Sequence, residues 1–334
     1  MEELVSVIMS TFKTANKYLK DSIDSILNQT YRNLELIIIC DGAREDEEYI
    51  TNNYDDERIK IIRHEQNEGL AKSLNDGIKL AKGKYIVRMD SDDISLKNRI
   101  KQQVNFMEKH PTVAVSSMLA KCFGDVNMKK MIVNQLPEEI EVELLYKNTL
   151  IHSSIIMRRE YLIKNNILYN EEFRYSQDYE LWSRIVNHNN IAIINRVGIK
   201  YRVHSQQVTV KKKDIQRALT DKVITRNSKK IKGKNSKDIL FYLNGKEKIT
   251  IENYQNVIKG ISEIIQKNEY FDPKILRNVL YNRFFQLTIS NKEIILKMLQ
   301  NEEYREMIFT RKNFRYFINK IKEVVYMKNR RNYE

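Results

Sequence analysis

The feature that most constrains this chain is Leu34-Glu35-Leu36-Ile37-Ile38-Ile39-Cys40, apolar at all positions but one. A strand with one wet face alternates apolar and polar residues. A nearly continuous apolar run belongs to a strand covered on both faces. Val5-Ser6-Val7-Ile8-Met9-Ser10, Ile59-Lys60-Ile61-Ile62, Tyr85-Ile86-Val87-Arg88-Met89 and Val113-Ala114-Val115 supply further short β-rich runs. Helical spacing separates them. Leu70, Leu74, Ile78 and Ala81 form one stripe, and Ile100, Val104 and Met107 another, with Ser95 as the expected N-cap of the latter. Strands alternating with helices predict an α/β fold, a mostly parallel sheet with helices on both faces. Beyond it, Pro137 opens a helix pattern through Leu145, and Ser154–Met157 reads as a short strand. Gln177–His188 reads as a helix, and Ile191–Ile194 and Ile199–Val203 as two strands. From Asp214 onward only helix patterns follow, interrupted near Lys232–Lys237 and at Asp272-Pro273. The expected organisation is an α/β domain over 1–210 and a basic, mainly helical region over 211–334.

Charge supports that division. The net charge is +14, yet residues 211–334 alone carry 29 Lys+Arg against 14 Asp+Glu, so the first 210 residues are nearly neutral. Such asymmetry points to a negatively charged partner for the second part. No run of about 18 apolar residues reads as a membrane span. The acidic start Met1-Glu2-Glu3 leads straight into a strand and does not resemble a secretory signal. Cys40 and Cys122 sit in apolar surroundings without metal-type spacing and read as buried thiols. These features place the chain in the cytoplasm.

In an open α/β sheet, ligands bind beyond the carboxyl ends of the strands. After the first strand comes Ser10-Thr11-Phe12-Lys13, which lacks the Gly-rich turn of a dinucleotide site, and no Walker-type loop occurs anywhere. After the second comes Asp41-Gly42, either a common turn or a carboxylate able to accept from a base imide N–H. After the third, Asn67-Glu68-Gly69-Leu70-Ala71-Lys72 opens a helix whose N-terminus, with Lys72, suits a diphosphate. After the fourth, Asp90, Asp92 and Asp93 crowd four positions. Like charges this close repel unless a cation joins them, and a hard divalent ion with oxygen ligands would serve. Asp93 alone reads as a solvated cap of the next helix. Asp178 stands at the start of a helix that buries Leu181, Trp182 and Ile185, and is either a helix-start carboxylate that only complements the dipole or a candidate general base. His152 precedes a strand and His204 ends one. Either suits a diphosphate, metal or acceptor contact, or packs as an ordinary histidine.

In order and spacing, the segments Ser6–Phe12, Asp41-Gly42, Asn67–Ala71, Asp90-Ser91-Asp92-Asp93, Gln177–Trp182 and Tyr201–Ser205 resemble glycosyltransferase family 2, inverting enzymes of GT-A fold. The resemblance spans residues 4 to about 208. It implies that Thr11 and Phe12 line the nucleotide pocket, with Asn67 and Lys72 on the donor side. It further implies that Asp41 reads the base and that Asp90 is the ribose and metal-side carboxylate. Asp92 would then ligate Mn2+ or Mg2+ directly. Asp178 matches the base, His204 a metal or diphosphate contact, and His152 a position near the acceptor cleft. Where many relatives have Glu-Asp, this chain has Gln177-Asp178, and the base itself is retained. The Gln-x-x-Arg-Trp motif of processive synthases is absent, so a single sugar is the expected product. UDP-linked hexose or N-acetylhexosamine is the donor the resemblance implies. A glycan or lipid-linked oligosaccharide of a bacterial surface polysaccharide is the acceptor.

The basic stretch Arg311–Arg331, with Phe314, Phe317, Ile318, Ile321, Val324 and Val325, reads either as an amphipathic helix on anionic membrane or as a packing or dimer-forming extension. Two rival functions remain at this level. Nucleic-acid binding by the basic tail lacks any zinc spacing or ribonucleoprotein motif. A non-catalytic nucleotide-sugar-binding protein would keep the donor site without turnover.

Overall fold

The computed structural model describes residues 2–125, 137–186, 190–204 and 212–300. Arg311–Arg331, Ser205, Lys211 and His188 lie outside the described residues. Two compact units form: Met1–Leu144 with Asn148–Val223, and Leu145–Lys147 with Ile224–Glu334.

The first unit is built on an eight-stranded sheet. Its strands are β1 (Val5–Thr11), β2 (Leu34–Asp41), β3 (Ile59–His64), β4 (Tyr85–Asp90), β5 (Ile94–Ser95), β6 (Val115–Gly124), β7 (Ile156–Arg158) and β8 (Ile191–Val203), in the order β3-β2-β1-β4-β7-β6-β8-β5. The pairs β3-β2, β2-β1 and β1-β4 are parallel. Every residue of β2 is buried, as its apolar run requires. Helices α1 (Asn16–Leu27), α2 (Arg44–Asn53), α3 (Leu70–Leu80) and α4 (Arg99–Lys109) connect these strands. Leu19, Ile23 and Ile26 of α1 and Ile100, Val104 and Met107 of α4 join Val7, Met9, Leu36 and Val87 in one core. The chain adds β2 and β3 on one side of β1 and then crosses to place β4 on the other. That reversal opens a crevice at the carboxyl ends of β1 and β4, where Ser10 stands opposite Asp90.

Four local expectations change. Ser95 does not cap α4. It pairs with Ile199 in β5, its backbone N–H donates to the Ser25 hydroxyl at 3.0 Å, and the cap position falls to Asn98. A serine before a helix stripe is equally suited to an edge pairing when another strand lies beside it. The strand expected over Ser154–Met157 begins later, because His152–Ser154 form a 3-10 turn. The helix from Gln177 ends at Ile185. The two strands expected between Ile191 and Val203 are one, with exposed Asn195 and Arg196 accommodated by a register shift opposite Met118–Leu119. Three further helices complete this unit's described part: α5 (Pro137–Glu143), α6 (Arg159–Lys164) and α7 (Gln177–Ile185).

Helix α8 (Lys213–Asn227) runs from the first unit into the second, which continues with α9 (Ser236–Asn244), α10 (Tyr254–Gln266), α11 (Pro273–Thr288) and α12 (Lys292–Gln300). Its core holds Leu240, Leu243, Ile258, Ile261, Leu276, Leu280, Phe284 and Phe285. The break at Asp272-Pro273 is an N-cap: the Asp272 carboxylate accepts from the backbone N–H groups of Lys274 and Ile275 at 2.9 Å each. Gly245, with φ of 87°, closes α9 in the left-handed conformation. Among the described residues no helix is long and apolar enough to cross a membrane.

Candidate active site

The acidic motif sits at the end of β4, on the crevice. Strand periodicity puts Arg88 and Asp90 on one face, and both guanidinium N–H arms of Arg88 grip the two Asp90 oxygens. Arg88 is 3% exposed, so its guanidinium is removed from water while Asp90 stays half-buried. A second guanidinium lies behind it. Arg99, 1% exposed, donates to the carbonyls of Arg88 at 2.9 Å and Ile155 at 3.3 Å. Burial pushes its pKa down to about 9, which leaves it protonated at neutral pH.

The three carboxylates differ in environment. Asp93 is fully buried, and one of its oxygens accepts from the Arg202 backbone N–H at 2.8 Å. Burial, with Asp90 and Asp92 nearby, raises its pKa well above the ordinary value. Its expected role as a solvated helix cap is therefore wrong: β8 closes over it. Burial also raises Asp90, with Arg88 opposing and Asp92 reinforcing the shift. Asp92 stays half-exposed and lies 2.9 Å from Nε2 of His204. Arg202 fixes that arrangement. Its Nε donates to the Asp92 carbonyl at 2.6 Å, another arm pairs with Asp21 at 2.9 Å, and its guanidinium stacks over Tyr18 and Phe123 at 4.1 and 4.5 Å. One oxygen from each of Asp90, Asp92 and Asp93 lies within 4.8 Å of the others. This all-oxygen set fits a hard divalent ion. Asp90 is held by Arg88 and Asp93 is buried, which leaves Asp92 half-buried, with no arginine on its carboxylate among the described residues and with His204 beside it.

On the donor side, Thr11 is buried at the end of β1 and Phe12 is 46% exposed. The Asp41 carboxylate takes four donors: His64 Nδ1 at 2.9 Å, Asn67 Nδ2 at 3.1 Å, and the backbone N–H groups of Glu68 and Gly69 at 2.8 and 2.9 Å. Two oxygens offer about four lone pairs, so every acceptor position is used within the protein. Asp41 thus folds the Asn67–Gly69 loop onto the end of β2. Gly42 permits the approach. Its φ is 75°, and a Cβ there would stand 2.3 Å from the Asn67 backbone nitrogen. Gly42→Ala is expected to cost about 1–3 kcal/mol, read as a lower Tm, because backbone must move to make room. Asn67 in turn accepts from Arg174 at 2.6 Å. Lys72 is ion-paired with Asp76, which lies 3.3 Å from Nε2 of His64.

On the opposite side, Asp178 opens α7. One oxygen accepts from the Tyr179 backbone N–H at 2.8 Å and the other from Asn148 Nδ2 at 2.7 Å. The surrounding protein raises its pKa by desolvation, while these donors and Arg88 pull it back. His152 lies against Tyr169, Nε2 to hydroxyl 2.8 Å, and edge-on to Trp182. Burial, helped by Arg88, lowers the His152 pKa well below its usual value, so the ring is neutral. Arg88 acts electrostatically on Asp90, Asp178, His152 and Tyr169 alike. The acidic cluster, Asp178 and His152 are thus all within electrostatic reach of Arg88. Arg88 was legible as a same-face neighbour of Asp90. Asn148, Tyr169, Arg99 and His64 had no such signal, since their partners are distant in the sequence.

Fold and site define an α/β enzyme frame with an acidic crevice at its switch point. The comparisons say which. The Glycosyl transferase family 2 profile matches residues 6–165. An uncharacterized glycosyltransferase of Haemophilus influenzae is 31% identical over 95% of this chain and 97% of its own length. The Escherichia coli UDP-Glc:alpha-D-GlcNAc-diphosphoundecaprenol beta-1,3-glucosyltransferase WfgD is 30% identical over 64% of this chain and 83% of its own. The S. aureus TarS 1-349 crystal structure in complex with UDP-GlcNAc shares the fold, with a TM-score of 0.53 and 18% identity over 94% of this chain and 89% of that one. The chain belongs to glycosyl transferase family 2 and is a glycosyltransferase.

Proposed function

We propose that this enzyme moves one hexose or N-acetylhexosamine from a UDP-sugar to a hydroxyl of a glycan or lipid-linked oligosaccharide, inverting the anomeric configuration. The observation that carries the reading is the clustered acidic motif gripped by Arg88, with a separate, half-buried Asp178 held by Asn148 and the Tyr179 N–H. WfgD by its name uses UDP-Glc, and TarS was crystallised with UDP-GlcNAc, which favours UDP as the nucleotide. The WfgD acceptor is a diphosphoundecaprenol-linked sugar, which favours a lipid-linked acceptor here. Such an acceptor would make membrane contact by the basic C-terminal region useful. Flotation with liposomes, full length against a 1–300 truncation, tests that contact. Equal behaviour of the two would exclude it.

In this reading Asp178 accepts the acceptor hydroxyl proton as that oxygen attacks the anomeric carbon from the face opposite the leaving diphosphate. Desolvation raises its pKa toward the working pH, which makes the carboxylate a stronger base. His152, neutral, lies beside the acceptor. Thr11 and Phe12 bound the nucleotide. Asp41 and Asn67 shape the loop against it, and a base imide N–H would reach Asp41 by replacing the Asn67 amide. Lys72 would meet the diphosphate by leaving Asp76, and Asp90 would meet the ribose. Mn2+ or Mg2+ held by Asp92 with His204 would supply positive charge against the growing charge of the leaving diphosphate.

Nucleotide release from a panel of UDP-, GDP- and dTDP-sugars, with manganese and with chelator, tests the reading. Metal-dependent release of UDP supports it. Tight donor binding without turnover on any glycan acceptor would instead favour a non-catalytic binding protein. A further test bears on Asp178. Asn148→Leu removes a donor to the ionised carboxylate, so its pKa rises further. The acidic limb of the kcat profile then moves to higher pH. An unmoved limb would separate Asp178 from the titration that limits turnover.

A further inference from the structure

Asp46 has no place in the chemistry above, yet it is a carboxylate 1% exposed, on α2, a helix outside the acidic cluster. One oxygen, Oδ2, lies 2.7 Å from Thr11 Oγ1 and 3.4 Å from the Thr14 backbone nitrogen. Thr11 Oγ1 also lies 2.9 Å from Thr14 Oγ1, which is 2.8 Å from Ser91 Oγ. A hydroxyl carries one proton. Thr11 Oγ1 can donate to Asp46 or to Thr14, one at a time, and Thr14 and Ser91 share a bond in which either hydroxyl can donate. A connected row of hydrogen bonds thus runs from α2, through the loop after β1, to the middle residue of Asp90-Ser91-Asp92.

The loop it grips needs gripping. Lys13 sits at φ of 53°, a left-handed conformation without glycine, between Phe12 and Thr14. Phe12, beside it, is exposed. Asp46 ties this loop to α2 through the Thr11 hydroxyl and the Thr14 backbone N–H.

We propose that Asp46 is a positioning residue for the donor: it holds the Thr11–Thr14 loop and, through Thr14 and Ser91, sets the turn that carries Asp92. The inference rests on the donor-site reading of Thr11, Phe12 and Asp92. The work falls to a hydrogen-bond acceptor, and a carbonyl can do it. Burial raises the Asp46 pKa, which agrees with a site that does not need the charge.

The test is equilibrium binding of UDP and UDP-GlcNAc in the presence of Mn2+, followed by KM and kcat. Asp46→Leu is expected to weaken UDP binding at least tenfold and raise donor KM in step, with kcat within threefold of wild type. Asp46→Asn is expected to restore both to within about threefold, since Asn Oδ1 accepts from Thr11 and Thr14. Thr14→Val, which removes only one hydroxyl, keeps the question open to measurement if the leucine variant fails to fold. It is expected to weaken UDP binding about fivefold, on the scale of one lost hydrogen bond, and Thr14→Val with Ser91→Ala is expected to be no worse than either alone. UDP affinity unchanged in Thr14→Val, or losses that simply add in the double variant, overturns the proposal. An equal loss of donor affinity in Asp46→Asn and Asp46→Leu also overturns it. Wild-type protein that binds no nucleotide would instead overturn the donor-site reading itself, so the two failures are distinguishable.

Discussion

Asp178→Asn is expected to lower kcat by about 10²–10⁴-fold, the usual worth of a general base, and to leave the donor dissociation constant unchanged. The substitution keeps the size of the side chain and the acceptor oxygen that takes the Tyr179 N–H. It removes the basicity. Because Asn148 donates to the other oxygen, the new amide N–H₂ faces a donor and must turn outward or displace Asn148. That local rearrangement costs little, since both side chains lie at the edge of solvent. Donor titration and steady-state kinetics on one preparation check the split. A variant that turns over at the wild-type rate would remove Asp178 from the base role.

Asp92→Asn is expected to abolish the metal dependence of UDP binding and to lower turnover by about 10³-fold, the scale of several kcal/mol of charge stabilisation. Asp92 is the informative member of its cluster. Asp90→Asn would release the buried Arg88 fork, and Asp93→Asn would disturb the closure of β8. Either change confuses folding with binding, because a buried partner is left unsatisfied. Asp92 is half-exposed and its side chain meets His204. Calorimetric titration of UDP with Mn2+ and with chelator reads the effect. Equal UDP affinity in both conditions is expected for the variant and a difference for wild type. Metal-enhanced binding that survives in the variant would place the ion elsewhere.

Much of the first unit was legible because its signals are local. The apolar run of β2 required cover on both faces, and the stripes of α3 and α4 are set by helical spacing. The absence of a Gly-rich turn after β1 excluded a dinucleotide site. The acidic motif was visible as like charges too close to coexist unaided. Where signals competed, the sequence misled. Ser95 reads as a cap or as an edge strand with equal ease, and β8 decided the matter by lying beside it. Asp93 reads as a wet turn until the Arg202 backbone, 109 residues away, closes over it.

By itself, then, the sequence determined the α/β frame, the crevice at its strand ends and the family of reaction. The frame and the crevice follow from periodicity and strand order along the chain, and the family of reaction from the resemblance of its ordered motifs to glycosyltransferase family 2; none of these needs a partner far away. Only the tertiary structure decided how each carboxylate is used. It clamped Asp90 with Arg88, saturated Asp41 with four donors, buried Asp93 and left Asp92 half-buried beside His204. An aspartate's pKa and acceptor capacity depend on desolvation and on groups within hydrogen-bond reach. Those neighbours come from other strands and helices, so the chain must fold before they exist.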